Sequence, residues 1–165
     1  MPPRLITLSS GLRIATDTMS DVAGVSLGFY TGVGSRHEHG TQGGISHLLE
    51  HMFFKGTASR DVRTLNRTIE GVGGYLGAYT ARDQTAFYTR VLREDVPLAL
   101  DLIADMMQHS RFDPADLEKE KDVVAQEIGE ATDAPDDLVF DLLQGVAWPD
   151  QPLGAPILGR AESLA

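Results

Sequence analysis

Residues 47–51 read "HLLEH": two histidines four apart, with a glutamate directly before the second. On a helix, that spacing sets both imidazoles on one side, one turn apart, where a single metal ion can span them. Glu50, three residues after His47, falls beside them. Two imidazoles suit zinc, which makes a water acidic enough to ionise near neutral pH. A carboxylate alongside can take that water's proton, so the chemistry within reach is hydrolysis. The competing reading is the solvated face of an ordinary helix.

Helical phase bears on the choice. At about 100° per residue, Ile45, Leu48, Leu49, Met52 and Phe53 form an apolar stripe, and His47 and His51 lie roughly opposite it. The histidines therefore do not belong to this helix's core-facing stripe. Phe54 shares their side, and Gly43 and Gly44 strip side chains from the approach to it. A second surface is expected to cover the histidines. The glutamate's position before the second histidine makes this the inverted order of the zinc-peptidase motif, a pattern that also arises by chance.

A catalytic zinc usually takes three protein ligands. The stretch 113–141 is rich in carboxylates, and phase narrows it. Leu117, Val124, Ile128 and Ala131 form the apolar stripe of a helix there, with Glu120 and Glu127 within it near its border. Glu118, Asp122 and Glu130 point away, and Asp116 is marginal. Burying a carboxylate costs several kcal/mol, of the order of 5, unless a metal, cation or hydrogen bonds compensate. Two acids seven apart on one buried stripe admit two explanations: a metal, or a buried salt bridge to a lysine or arginine of a neighbouring helix.

The elements that must position these residues can be read along the chain. "RLITLSSGLRIATDT" predicts two short strands around a turn at Ser10-Gly11. Val25, Leu27 and Phe29 alternate as in a half-buried strand that runs into a Gly-rich loop. Helices are expected over 43–54 and 62–71. "GGYLGAYTARDQTAFYTRVL" predicts two strands joined by a turn near Arg82-Asp83. A helix follows with Pro97 in its first turn, and another with Asp113 as N-cap and Pro114 at its first position. Residues 132–146 read as a further helix and the tail as loop. Strands first and helices later favour an α+β fold, a mostly antiparallel sheet with helices packed on one side, over a doubly wound one.

Composition sets outer limits. A chain of 165 residues, 42% of them hydrophobic, suits one domain with a real core. The absence of cysteine removes disulfides and thiolate ligands, so a metal must be held by nitrogen and oxygen. The formal net charge of -10 argues against nucleic acid and for a basic partner. No apolar run is long enough to span a membrane. The N-terminus carries no secretory signal pattern. The chain stops at "AESLA" without a turn signal, which predicts a piece of a longer protein.

Taken together, "GISHLLEHMFFKGT" and the later "EKEKDVVAQEI" resemble the pitrilysin/insulinase family of zinc metallopeptidases, closest to its mitochondrial-processing-peptidase-like branch with its bacterial members. The family pattern is the inverted motif, then a distant glutamate with another seven before it. Glu127 lies 76 positions after His51, and Glu120 seven before Glu127. The likeness extends to "TGVGSRHE" upstream and "GGYLGAYTARDQTAFYTRV" downstream.

By that resemblance, His47, His51 and Glu127 would bind one Zn2+. Glu50 would be the general base, and Glu120 a supporting acidic residue of the catalytic site near the metal. The implied activity is that of a zinc endopeptidase. An edge strand matching "YLGAYT" would pair with the substrate backbone, making Gly77, Ala78 and Tyr79 substrate-binding. Related sequences commonly carry Asn-Ala where Gly77-Ala78 stands, so a side-chain hydrogen-bonding group is lost. The plainer reading of Gly77 is a bulge or a close packing contact.

The resemblance further implies that residues 1–165 are a single, incomplete N-terminal peptidase domain. Its second homologous half, on the same chain or a partner subunit, supplies further substrate-binding groups. Weak or no proteolysis is expected from this chain alone. A peptide substrate of basic character is expected, in the bacterial cytoplasm, with the mitochondrial matrix or periplasm as alternatives if a targeting segment precedes. The other classes in play are a non-catalytic partner subunit and a zinc-binding fragment.

Other features read as structural. "GVGGYLG" follows a helix and enters a strand, the reverse of a dinucleotide loop. His37 and His39 read as exposed loop histidines. His109 reads as capping carbonyls or favouring the dipole at a helix end, and Met106 and Met107 as core.

Overall fold

The computed structural model describes residues 2–164. Strands β1 (Arg4–Thr7) and β2 (Arg13–Thr16) form an antiparallel hairpin in the register Arg4↔Thr16 to Thr7↔Arg13. Its turn holds Gly11 at φ 86°, a left-handed conformation that glycine adopts without steric cost. The main sheet comprises β3 (Gly24–Thr31), β4 (Tyr75–Thr80) and β5 (Thr85–Leu92), all antiparallel, in the order β3-β5-β4. The architecture is α+β, as expected.

Side-chain alternation gives the sheet two different faces. Val25, Leu27 and Phe29 of β3, Leu76 and Ala78 of β4, and Phe87 and Val91 of β5 share the inner one. Helices α1 (Ile45–Phe53), α2 (Val62–Glu70) and α3 (Val96–His109) cover it. The core gathers Leu65 and Ile69 from α2, Phe87 and Val91 from β5, and Ala99, Leu102 and Met106 from α3. Met107 packs against this cluster. The outer face carries Tyr30, Tyr75, Tyr79 and Tyr88 around Gly28, Gly77 and Ala86.

The remaining helices are α4 (Pro114–Asp133) and α5 (Pro135–Ala147). Asp113 caps α4 by accepting from the Ala115 N–H at 2.8 Å, with Pro114 following. The helix predicted to begin at 132 instead begins at Pro135, because α4 runs on to Asp133. Ala134 is extended (φ -96°, ψ 103°), as the residue before a proline must tend to be, and that residue makes the break. The tail is less irregular than predicted, with short 3-10 turns at Pro152–Gly154 and Ala161–Leu164.

The helix predicted over 43–54 starts two residues late. Gly44 sits at φ 87°, which cannot continue a right-handed helix. In place of a local cap, the buried Glu38 reaches from the preceding loop. Its two oxygens accept from the Gly44 and Ser46 N–H groups at 2.7 and 2.8 Å. A carboxylate there satisfies two orphan donors and meets the positive end of the helix dipole.

The apolar stripe predicted for α1 is only partly buried. Met52 is fully buried and Phe53 packs on the core, but Ile45 and Leu49 are 43% and 41% exposed. The histidine side is instead the covered one, because α4 packs across it.

Candidate metal centre

Two helices build the site. The polar side of α1 presents His47, Glu50 and His51. The side of α4 that packs on α1 presents the buried Glu120 and the half-buried Glu127 around Val124, which is fully buried in the seam. Glu127 Oε2 lies 3.5 Å from His47 Nε2 and 3.5 Å from His51 Nε2. One donor atom from each of the three residues can be chosen so that all lie within 4.8 Å of one another. The imidazole centroids are 4.6 Å apart.

The phase argument left metal and salt bridge open for the two glutamates, and the structure gives them different neighbours. Glu120 Oε1 is 2.6 Å from Lys55 Nζ, the buried salt bridge. Its Oε2 is 3.1 Å from His51 Nδ1. Glu127 faces the two imidazoles.

Protonation follows burial and neighbours. Burial, together with the repulsion of His51, lowers His47 to about 4, so it is a neutral imidazole at pH 7. Its contact with Glu127 is thus not an ion pair. Burial raises Glu50, opposed by a hydrogen bond in which Thr80 Oγ1 donates to Glu50 Oε2 at 2.6 Å and by the charge of His51; the charge of Glu127 adds to the rise. For Glu120, burial pushes upward, but the hydrogen bonds and charges of Lys55 and His51 outweigh it and the net shift is down.

The donor set fits a zinc ion. Bonds of about 2.0–2.1 Å in tetrahedral geometry separate ligand atoms by about 3.3–3.4 Å, close to the two distances of 3.5 Å. Two neutral-capable imidazoles and a carboxylate match the preference of a catalytic zinc, which keeps one position open. His51 Nδ1 facing a carboxylate leaves Nε2 as the free donor.

The insulinase family (peptidase family M16) matches residues 13–161. The chain belongs to this family. Among insulinase-family relatives, it is 45% identical over 159 residues to an uncharacterized zinc protease of Bacillus subtilis (strain 168), covering 96% of this chain and 39% of that one. It is 42% identical over 161 residues to the probable beta subunit of the mitochondrial-processing peptidase of Arabidopsis thaliana, covering 98% and 30%. The crystal structure of a protease from Helicobacter pylori shares the fold, with a TM-score of 0.93 over 99% of this chain and 40% of that one at 24% identity. The chain thus spans about 40% or less of the length of these family members.

The other predicted positions fall as follows. Gly77, Ala78 and Tyr79 lie on β4, whose outer edge pairs with no strand among the described residues. Gly77 is no bulge: it stays in register opposite Tyr88, and a Cβ there would meet the Tyr75 ring at 2.8–2.9 Å. The glycine accommodates a close aromatic contact. His37 and His39 are exposed, and His37 Nδ1 accepts from the Gly34 N–H at 3.1 Å. His109 lies in the last turn of α3, the position of the dipole alternative, and its ring faces Asp105 Oδ1 at 3.2 Å, a side-chain partner one turn back.

Glu38, Lys55 and Thr80 contribute to the site without having been read from the sequence. For two of them a signal existed. Lys55 is four residues after His51, and strand alternation sets Thr80 on the face of Leu76 and Ala78. Nothing local marks Glu38.

Proposed function

We propose that this chain is the zinc-carrying, incomplete N-terminal domain of an endopeptidase, with His47, His51 and Glu127 as ligands and Glu50 as general base. The observation that carries the reading is the convergence of three donor atoms within 4.8 Å beside a carboxylate held by Thr80. Bound there, zinc would act as a Lewis acid toward the scissile carbonyl and the attacking water.

The chain's own residues do the rest. Glu50, oriented by Thr80, takes a proton from the attacking water and returns it to the leaving amine. Burial raises this carboxyl and so strengthens it as the base for the first of these transfers. Glu120 fixes the His51 ring. The free edge of β4 runs beside α1, and its backbone at Gly77, Ala78 and Tyr79 can add an extended substrate as a further strand. Backbone pairing needs no side chain at position 77. The net charge of -10 favours basic peptides. A second homologous half or partner subunit would complete substrate binding, and this chain alone would cleave weakly or not at all.

The test is zinc stoichiometry after dialysis against a weak chelator, followed by peptide hydrolysis with and without a homologous second half. Wild type is expected to retain one zinc, Glu127→Gln to lose it, and Glu50→Gln to keep zinc while losing about 10²–10⁴-fold in hydrolysis. Zinc retained by Glu127→Gln would overturn the ligand set, and full activity in Glu50→Gln would overturn the base.

A further inference from the structure

Lys55 stands two residues beyond the end of α1, in a turn fixed by its own N–H, which donates to the Met52 carbonyl at 3.1 Å. Its side chain is drawn back toward the α1–α4 seam. There Nζ meets Glu120 Oε1 at 2.6 Å, while Glu120 Oε2 meets His51 Nδ1 at 3.1 Å. One carboxylate therefore bridges an ammonium and an imidazole, one oxygen to each, with only 8% of its side chain exposed.

The division of oxygens matters because the terminal torsion of a glutamate is broad and soft. A carboxylate held at one oxygen can swing, and the ring it supports can turn or change tautomer. Held at both, it presents a fixed acceptor to Nδ1, so the proton stays on Nδ1 and Nε2 keeps its lone pair toward Glu127. His47 has no such support: its Nδ1 is buried without a hydrogen-bond partner among the described residues. The two imidazoles are thus unequally held.

We propose that Lys55 is a positioning residue that clamps the second oxygen of Glu120 and thereby fixes the tautomer and orientation of His51 for metal binding. The metal-binding consequence rests on the zinc reading above, whereas the clamp belongs to the metal-free chain. A merely structural role for Lys55, neutralising a buried charge in the seam, would change stability and leave the ring's tautomer alone.

The experiment compares wild type, Lys55→Met and Lys55→Arg. The His51 tautomer is read by nitrogen-15 NMR on metal-free protein at pH 8, and zinc affinity by competition with a chromophoric chelator. Wild type and Lys55→Arg are expected to hold the proton on Nδ1 and to agree in zinc Kd within about threefold. Lys55→Met is expected to give a mixture of tautomers and zinc binding about tenfold weaker or more. Where Lys55→Met does not fold, Lys55→Leu replaces it, likewise without a donor. An unchanged tautomer and unchanged Kd in the folded Met or Leu variant would overturn the clamp, even with a lowered Tm. Loss of zinc in Glu127→Gln beside an unaffected Lys55→Met would leave the zinc reading standing and remove the clamp. If wild type bound no zinc, the zinc reading would fall, and the NMR comparison would still decide the clamp.

Discussion

Thr80 stands at the C-terminal end of β4, and its hydroxyl donates a hydrogen bond to Glu50 Oε2 at 2.6 Å. That bond ties the proposed base to the strand proposed to bind substrate, so one residue couples the two tasks. Thr80→Val keeps the shape and removes the donor. We expect hydrolysis in the completed enzyme to fall about tenfold, with zinc stoichiometry unchanged and with Thr80→Ser restoring most of the rate. Wild-type turnover in Thr80→Val, measured at saturating substrate, would mean that Glu50 is oriented by other contacts.

At the scale of elements, the position of α1 decides whether the histidines meet the glutamates, and both ends of α1 are anchored from elsewhere in the chain. Glu38 holds the first turn through the Gly44 and Ser46 N–H groups. Beyond the last turn, the loop 56–60 is tied to α3 through Asp105. Its Oδ2 accepts from Thr57 Oγ1 at 2.7 Å, Ser59 Oγ at 2.9 Å and Arg60 Nη1 at 2.5 Å. Burial would raise this carboxyl, but the bonds from Thr57, Arg60 and Ser59 prevail and bring it down to about 2 from 3.8.

A carboxylate whose folded pKa is depressed contributes stability that is complete above its unfolded value and is lost as pH falls through the folded one. The window here runs from about 3.8 down to about 2, and the contribution at neutral pH is about 2 kcal/mol. Asp105→Asn is expected to be less stable than wild type by roughly that amount at pH 7. Urea unfolding at several pH values should show the gap closing as pH falls from 4 toward 2. A gap that stays constant across that range would mean that the Asp105 charge does not stabilise the loop.

At the scale of the whole molecule, the acidic charge is the property most open to test. A net charge of -10 on a chain of this size sets up a field that attracts cationic peptides and is screened by salt. For the completed enzyme, KM for a basic peptide is expected to rise several-fold, about three- to tenfold, between 20 mM and 300 mM salt, with little change for a neutral peptide of the same length. Equal salt dependence for the two would separate the acidity from substrate choice. The fold also leaves Val139, Leu143 and Val146 of α5 exposed, and both strands of the β1–β2 hairpin. These surfaces accompany a chain that spans about 40% of its insulinase-family relatives.

The sequence by itself determined the family, the antiparallel α+β class, the turns at Ser10-Gly11 and Arg82-Asp83, and the start of α4 at Asp113-Pro114. The class, the turns and the helix start follow from local chemistry, that is alternation, glycine and proline conformation and capping, whereas the family follows from the resemblance of the inverted motif and its two distant glutamates to a known pattern. Phase on a single helix also sufficed to bring forward Glu120 and Glu127, because burial of carboxylates at seven-residue spacing is rare without a reason.

Tertiary structure alone decided what each of those groups faces. Phase told that the histidines and the acids lay on definable sides of their helices, but not that the α4 stripe would cover the histidine side of α1 and leave Ile45 and Leu49 exposed. It could not divide the glutamates, since Lys55 reaches Glu120 from a turn 65 residues earlier in the chain. Nor could it reveal Glu38, and for Thr80 strand alternation gave the side of the sheet but not its partner. Those contacts depend on where the backbone brings remote segments together, and no periodicity within one element encodes that.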